Sequence, residues 1–306
     1  MIMSDMNNNF PEDELDIKET FSILWNKKKL IIYITSAFAL FSVILALLLP
    51  NVYTSSTLLA PTKADNSLSS QLNQLSSLAS MTGINLPVRS NSRTREAVAR
   101  IQSFEFFSKY FLPNVSLENV VAAKRWNASD NTIVYQSKFD PINKKWTDKV
   151  PSEQKAFELY LKAITVYVDP QSSFVTVSIE HKSPVIAKEW LDIIIYNLNE
   201  SMRMEDIQLS QSYIDFLNSS QQSTNIQSLR DSTSRLLENQ MQTLMLASSN
   251  KDYIFKTLNS PIVPELKSGP PRAIICIAIT LFGGILSVLI VLMRHHFFFR
   301  KEEKVI

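Results

Sequence analysis

Cysteine is nearly absent: Cys276 is the only one among 306 residues, so no disulfide can form within the chain and its folded parts must be held by their own cores. Histidine is almost as scarce. The three, at positions 181, 295 and 296, assemble no metal set with a single cysteine. Glycine occurs only at 83, 269, 283 and 284, and no G-x-x-x-x-G-K-[ST] loop exists to cradle nucleotide phosphates. An excess of one charge is missing too, since the net charge is +2 and its lysines and arginines are scattered. Nucleic acid is therefore not an expected partner. Carboxylates such as Asp130, Asp140, Glu153 and Glu158 read as solvated surface, although spacing alone cannot reveal a glycosidase-like pair. The reading is a chain with no enzymatic role, no cofactor and no metal.

What the chain does have is two long apolar runs. Leu30 to Leu49 contains no charge, follows Lys27, Lys28 and Lys29, and ends at Pro50. Twenty helical residues rise about 30 Å, the thickness of a bilayer's hydrocarbon core. The run is longer than a signal peptide's apolar region, begins late, and is followed by no small-x-small cleavage site, so a retained helix is expected. The second run, Ala273 to Met293, precedes Arg294, His295, His296, Arg300, Lys301 and Lys304. Basic residues thus lie outside the hairpin at both ends. Both termini are expected in the cytoplasm and the middle in a periplasm, if the cell has one. The chain divides into an N-terminal segment 1–29, spans 30–49 and 273–293 around a domain 50–272, and a tail 294–306.

Within the second span Cys276, Thr280 and Gly284 recur every four residues, and Gly283 and Ser287 make another small-xxx-small pair. Such faces let helices approach closely, so a seam is expected here, between the spans or between copies.

The middle domain reads as α+β. Strands are expected near 52–60, 164–180 and 252–258, the middle pair turning at Asp169-Pro-Gln-Ser-Ser. Leucines at 68, 72, 75 and 78 share one helical face ahead of Gly83. Ala97, Val98, Ile101, Phe104, Phe107 and Phe111 suggest one bent helix or two short ones closed by Pro113. Residues 127–150 are turn-rich with one strand candidate, Thr132 to Ser137. Ser152 can cap a helix that Pro151 keeps from starting earlier. Ser183-Pro184 opens the longest helical signal, about 184–248, free of glycine and further proline. As one rod it would extend roughly 100 Å, and the polar stretch Asn218 to Asn225 is where it could break or turn back. A membrane-proximal α/β base with a long helical extension is the economical arrangement.

The segment entering the second span reads Ser260-Pro-Ile-Val-Pro-Glu-Leu-Lys-Ser-Gly-Pro-Pro-Arg272, with Gly283-Gly284 beyond it. It resembles the proline-rich junction P-x2-P-x4-S-P-K-x11-G-G of the chain-length determinant (Wzz-type) polysaccharide co-polymerases. Pro261, Pro264, Pro270, Gly283 and Gly284 fall at matching spacings, while Gly269 replaces the serine and Pro271 the lysine, beside Arg272. Residues Leu15 to Lys29 leading into the first span, and the strand after it, are similar to that family as well.

The resemblance implies a non-enzymatic, homo-oligomeric regulator of the modal length of a bacterial surface polysaccharide such as lipopolysaccharide O-antigen, in the inner membrane. A membrane-embedded polymerase, a lipid-linked glycan and the bilayer are the implied partners. The prolines also have a direct physical reading, since each removes a donor and stiffens the connection, though any one of them could simply end a strand or start a helix. The alternative class is a membrane-anchored adaptor for polysaccharide export or other envelope transport.

Overall fold

The computed structural model describes residues 24–62, 92–223 and 227–302. The leucine-bearing helix expected over 66–83 lies outside them. The chain divides into two compact units, Met1–Leu49 with Pro270–Ile306, and Pro50–Gly269.

In the first unit, helix α1 (Lys28–Leu48) packs against the last helix, α8 (Arg272–Glu302). Each contains a stretch long and apolar enough to cross a membrane, Lys28–Leu48 and Arg272–Arg294. Most of their large side chains, such as Leu40, Leu47, Ile277 and Leu281, are exposed, as helices facing lipid rather than water would be.

The central unit is α+β. Its elements are β1 (Tyr53–Pro61), α2 (Ser92–Ile101), α3 (Phe104–Phe106), α4 (Leu117–Val121), β2 (Ala123–Asn127), β3 (Thr132–Tyr135), β4 (Phe139–Asp140), β5 (Lys145–Trp146), α5 (Glu153–Ala163), β6 (Ile164–Val168), β7 (Val175–His181), α6 (Pro184–Ser223), α7 (Gln227–Ser249) and β8 (Phe255–Asn259). The main sheet runs β6-β7-β1-β8, and every pairing in it is antiparallel. On β7, Val175, Val177, Ile179 and His181 are buried in strict alternation. That face meets α6 through Trp190, Leu191, Ile194, Leu198 and Met202, all nearly inaccessible.

A second layer of aromatic residues closes this core. The bent-helix reading of 93–112 holds: α2 and α3 are followed by a π-helical turn (Phe107–Phe111) and a 3-10 turn (Leu112–Asn114) that contains Pro113. Phe107 and Phe111 meet Tyr160 of α5 with tilted rings at 5.2 and 4.8 Å, and Phe111 meets Trp190 edge-on at 5.3 Å. The one polar atom of Tyr160 is satisfied by donating to the Ile101 carbonyl at 2.8 Å, which lets the ring bury completely. Ser152 caps α5 by accepting from the Lys155 amide, as its position predicts.

Three expectations need correction. The helix expected over about 184–248 is two, α6 of 40 residues and α7 of 23; α6 ends at Ser223, within the polar Asn218–Asn225 stretch where a break was expected, and α7 begins at Gln227. Arg203 donates to the Ala247 carbonyl at 3.4 Å, so α7 runs back along α6 and the extension has about the 60 Å length of α6 alone. Residues 123–146 hold two small two-stranded sheets, β2–β3 and β4–β5, where one strand was expected. The charged Lys124-Arg125 pair and the two-residue length of β4 and β5 hide them from any periodicity. Finally, β8 begins at Phe255, because Tyr253 and Ile254 turn inward to the core ahead of it.

Candidate membrane junction and span pair

The proline segment after β8 belongs to the central unit and stays beside β1. Strand β8 pairs with β1 only over Leu58 to Pro61, and the register slips between Leu58 and Leu59. Pairing resumes at the isolated bridge Val52–Gly269, where the Val52 amide donates to the Gly269 carbonyl at 3.0 Å and the Ser268 amide to Val52 at 2.9 Å. Pro261 and Pro264 lie in the gap, and neither has an amide hydrogen to donate. Side chains of β1 take over: Thr57 Oγ1 donates to the Asn259 carbonyl at 2.6 Å and Ser55 Oγ to the Ile262 carbonyl at 2.8 Å. Both hydroxyl residues are buried, as is Pro261. Side-chain donors of β1 thus hold the proline stretch, and the Ser268 amide donates back to Val52 at its far end.

Two buried polar residues of α6 fix where this segment begins. Asn199 accepts from the Ile254 and Phe255 amides, each at 2.9 Å, and donates to the Phe255 carbonyl at 3.0 Å. Asp206 accepts from the Tyr253 hydroxyl at 2.6 Å and pairs with Arg93 of α2. Burial and the adjacent carboxylate push the Tyr253 hydroxyl pKa above its ordinary value, so it stays a donor. At the other end of the sheet, the buried His181 accepts from the Ser183 amide through Nδ1 at 3.0 Å and meets the Asn119 carbonyl through Nε2 at 3.0 Å. The ring is thus neutral with its proton on Nε2, and burial pushes its pKa below the ordinary value.

In the span pair, Arg272 donates to the Leu49 carbonyl at 2.9 Å, joining the start of α8 to the end of α1. Further along, Cys276 Sγ lies 3.7 Å from the Ser42 carbonyl. A Cβ placed on Gly283 would lie 2.5 Å from Phe38 Cβ, whereas one on Gly284 would find its nearest neighbour, Thr35, at 4.0 Å. The helices run antiparallel; Gly283 packs on Phe38 of α1, and Ser287, one turn further along α8, is buried. Gly284 instead borders an apolar groove of about 780 Å³ shared with Thr35, Cys276 and Thr280.

The predicted site residues therefore fall into two groups. Pro261 and Pro264 sit along β1 in the central unit; Arg272, Gly283 and Gly284 line α8 where it faces α1, preceded by Pro270 and Pro271. Ser55, Thr57, Asn199 and Asp206 were not singled out from sequence. The only signal was the Thr-Ser-Ser-Thr run in β1, where hydroxyls occupy inward positions that a core strand ordinarily gives to aliphatics.

A cleft of about 560 Å³ beside Pro261 is lined by Tyr196, Glu200, Arg203, Lys251 and Thr257 among others. Arg203 hydrogen-bonds Glu200 and holds that carboxyl below the usual range, the opposite of what a general acid requires. Among the described residues no group of three or more His, Cys, Asp or Glu side chains could hold a metal ion.

Residues 13–123 match the family model described as Wzz, chain length determinant protein. The chain resembles the Wzz family. The likeness covers the first apolar helix, β1 and the helical turns that carry Phe107 and Phe111, but not α5 with Tyr160. Among solved structures, a full-length bacterial polysaccharide co-polymerase overlaps 93% of this chain and 98% of its own, at 14% identity and a TM-score of 0.40. A fragment of WzzB, a polysaccharide co-polymerase from Salmonella Typhimurium, overlaps 72% of this chain and all of its own, at 16% identity and a TM-score of 0.25. No curated protein matches the chain. The family model, rather than these overlaps, carries the functional reading.

Proposed function

We propose that this protein sets the modal chain length of a bacterial surface polysaccharide, with lipopolysaccharide O-antigen as the product, and that it does so without catalysing the polymerisation. The observation that carries the reading is the match of residues 13–123 to the chain length determinant model. Two membrane-length apolar helices enclosing a separately packed α+β unit agree with it.

In this reading both termini are cytoplasmic and residues 50–272 are periplasmic, following the basic residues outside the two spans. Several copies form a scaffold around or beside the membrane-embedded polymerase, and α6 presents the growing lipid-linked glycan with a surface of defined height. Pro261, Pro264, Pro270 and Pro271 stiffen the connection between the sheet and the second span. Arg272, Gly283 and Gly284 hold that span against the first or against neighbours.

The test is a deletion strain complemented with the chain, its lipopolysaccharide resolved by gel. The complemented strain should show a cluster of bands at one length, and the deletion a ladder decaying smoothly. A ladder unchanged by deletion overturns the proposal.

A further inference from the structure

The lobe formed by β2 to β5 carries a surface that the length-regulating role does not use. Residues 123–150 hold six lysines and arginines against three aspartates, a net charge of +3. Asp140 shapes the β4–β5 turn by accepting from the Ile142 amide at 2.9 Å and from Asn143 Nδ2 at 2.7 Å, and Lys144 takes a φ of 50°. The turn so fixed holds Ile142 outward, 89% exposed, just ahead of the exposed Lys144 and Lys145. Water is a poor environment for such a side chain, and an apolar layer beneath an anionic one suits the trio better.

The lobe is anchored at a defined end of the sheet. Trp126 of β2 meets Tyr53 edge-on at 5.4 Å, and His181, which faces Tyr53 in register, contacts Asn119, whose side chain accepts from Tyr135 of β3. Tyr53 follows Leu49 by four residues, a reach of at most about 14 Å of extended chain. Gly269, paired with Val52, is at the same end and three residues ahead of Arg272. Beside that bridge, Leu266 is 84% exposed and the exposed Lys267 follows it. One apolar–basic point, Leu266 with Lys267, thus lies by the end of the sheet from which both connections to the apolar helices depart, and the lobe that carries the other is attached at that same end.

We infer that Ile142 with Lys144 and Lys145, and Leu266 with Lys267, rest on an anionic phospholipid surface, the apolar side chains at headgroup depth and the lysines against phosphates. The inference rests on the two helices crossing a bilayer and not on the glycan role. Contact at both points holds the sheet against tilting.

The test uses the full chain in nanodiscs, with Cys276→Ser and single spin labels introduced by Ile142→Cys, Leu266→Cys, Tyr167→Cys or Leu40→Cys. Tyr167 is exposed near the opposite end of the sheet and serves as the water reference, and Leu40 as the bilayer reference. Accessibility to oxygen and to a water-soluble nickel chelate is compared in phosphatidylcholine alone and with phosphatidylglycerol added. With phosphatidylglycerol, labels at 142 and 266 should shift toward oxygen while 167 does not. Lys144→Gln and Lys145→Gln should each lower the ratio of docked to undocked lobe about fivefold. Labels at 142 and 266 as open to nickel as 167 overturn the inference, and so does shielding from both probes in every lipid, which marks a protein contact. Equal depth in phosphatidylcholine alone overturns the anionic assignment. A label at 40 that reads water removes the bilayer premise and the inference with it.

Discussion

Gly283 passes Phe38 so closely that a Cβ on the glycine would lie 2.5 Å from the Cβ of the phenylalanine. That atom is fixed to the backbone of α1, so no rotamer change of Phe38 makes room for it. Gly283→Ala must push the helices apart, at a cost of about 1–3 kcal/mol for overpacking. Gly284→Ala meets only ordinary contact with Thr35 at 4.0 Å. Ser42→Cys, whose backbone carbonyl is 3.7 Å from Cys276 Sγ, supplies a reporter. Oxidative cross-linking of that cysteine to Cys276 should be efficient in the parent and with Gly284→Ala, and clearly reduced with Gly283→Ala. Equal cross-linking in all three would contradict the packing described.

Asn199 is the single residue of α6 that makes three hydrogen bonds to the start of β8. Leucine of similar volume would leave two amides and one carbonyl buried without those partners. The expected loss is on the order of 3 kcal/mol, read as a lower thermal midpoint of the full chain in detergent. Hydrogen exchange at Ile254 and Phe255 should accelerate more than at Val177, deep in the sheet.

The parts of the fold legible in sequence are those where one short-range rule dominates. Leu30 to Leu49 contains no charge and reads at once as a helix long and apolar enough to cross a membrane, and the alternation of Val175, Val177 and Ile179 marks a strand with one buried face. Caps are legible for the same reason, as at Ser152. Contacts between distant residues are not. Asn199 and Phe255 are 56 positions apart, and nothing in their neighbourhoods announces the pairing. Gly283 and Gly284 read alike as a doublet, yet adjacent helical residues point about 100° apart, so only Gly283 lies too close to α1 for a Cβ. The α6–α7 fold-back was foreshadowed by polarity at Asn218 to Asn225, but its direction depends on packing of the kind Arg203 makes with Ala247.

His181 gives the central unit a pH dependence with a definite sign. Burial lowers its folded pKa below the ordinary value of 6.5, so beneath 6.5 the unfolded chain binds the proton more readily than the folded one. Stability then falls as pH drops from about 6.5 toward the depressed folded value and levels off below it, by at most about 1.4 kcal/mol per pH unit. Protonation would also set an Nδ1 hydrogen against the Ser183 amide that now donates there. His181→Gln should be less stable at pH 7.5, having lost the packing on Trp190 at 4.7 Å, but flatter in its dependence between pH 7 and 5. Denaturant midpoints across that range check it, and parallel curves for parent and variant would exclude His181 as the source.

The hydroxyls of Ser55 and Thr57 stand where a continuous β-ladder would use backbone amides, because the facing segment contains Pro261 and Pro264. Removing them with Ser55→Ala and Thr57→Val changes side-chain volume little and takes those donors from the carbonyls of Ile262 and Asn259, two exposed residues. The cost is about 0.5–1.5 kcal/mol for each, and it falls on the junction, where both acceptors lie. The double variant should keep the far-UV spectrum of the parent while proteolysis within residues 260–268 quickens. If the proline segment transmits position to the second span, the same variant should broaden the cluster of glycan lengths without abolishing polymer. A sharp cluster in a strain with a proteolytically loosened junction would separate the segment's stiffness from length control. That result would leave the prolines a purely structural part in joining β8 to α8.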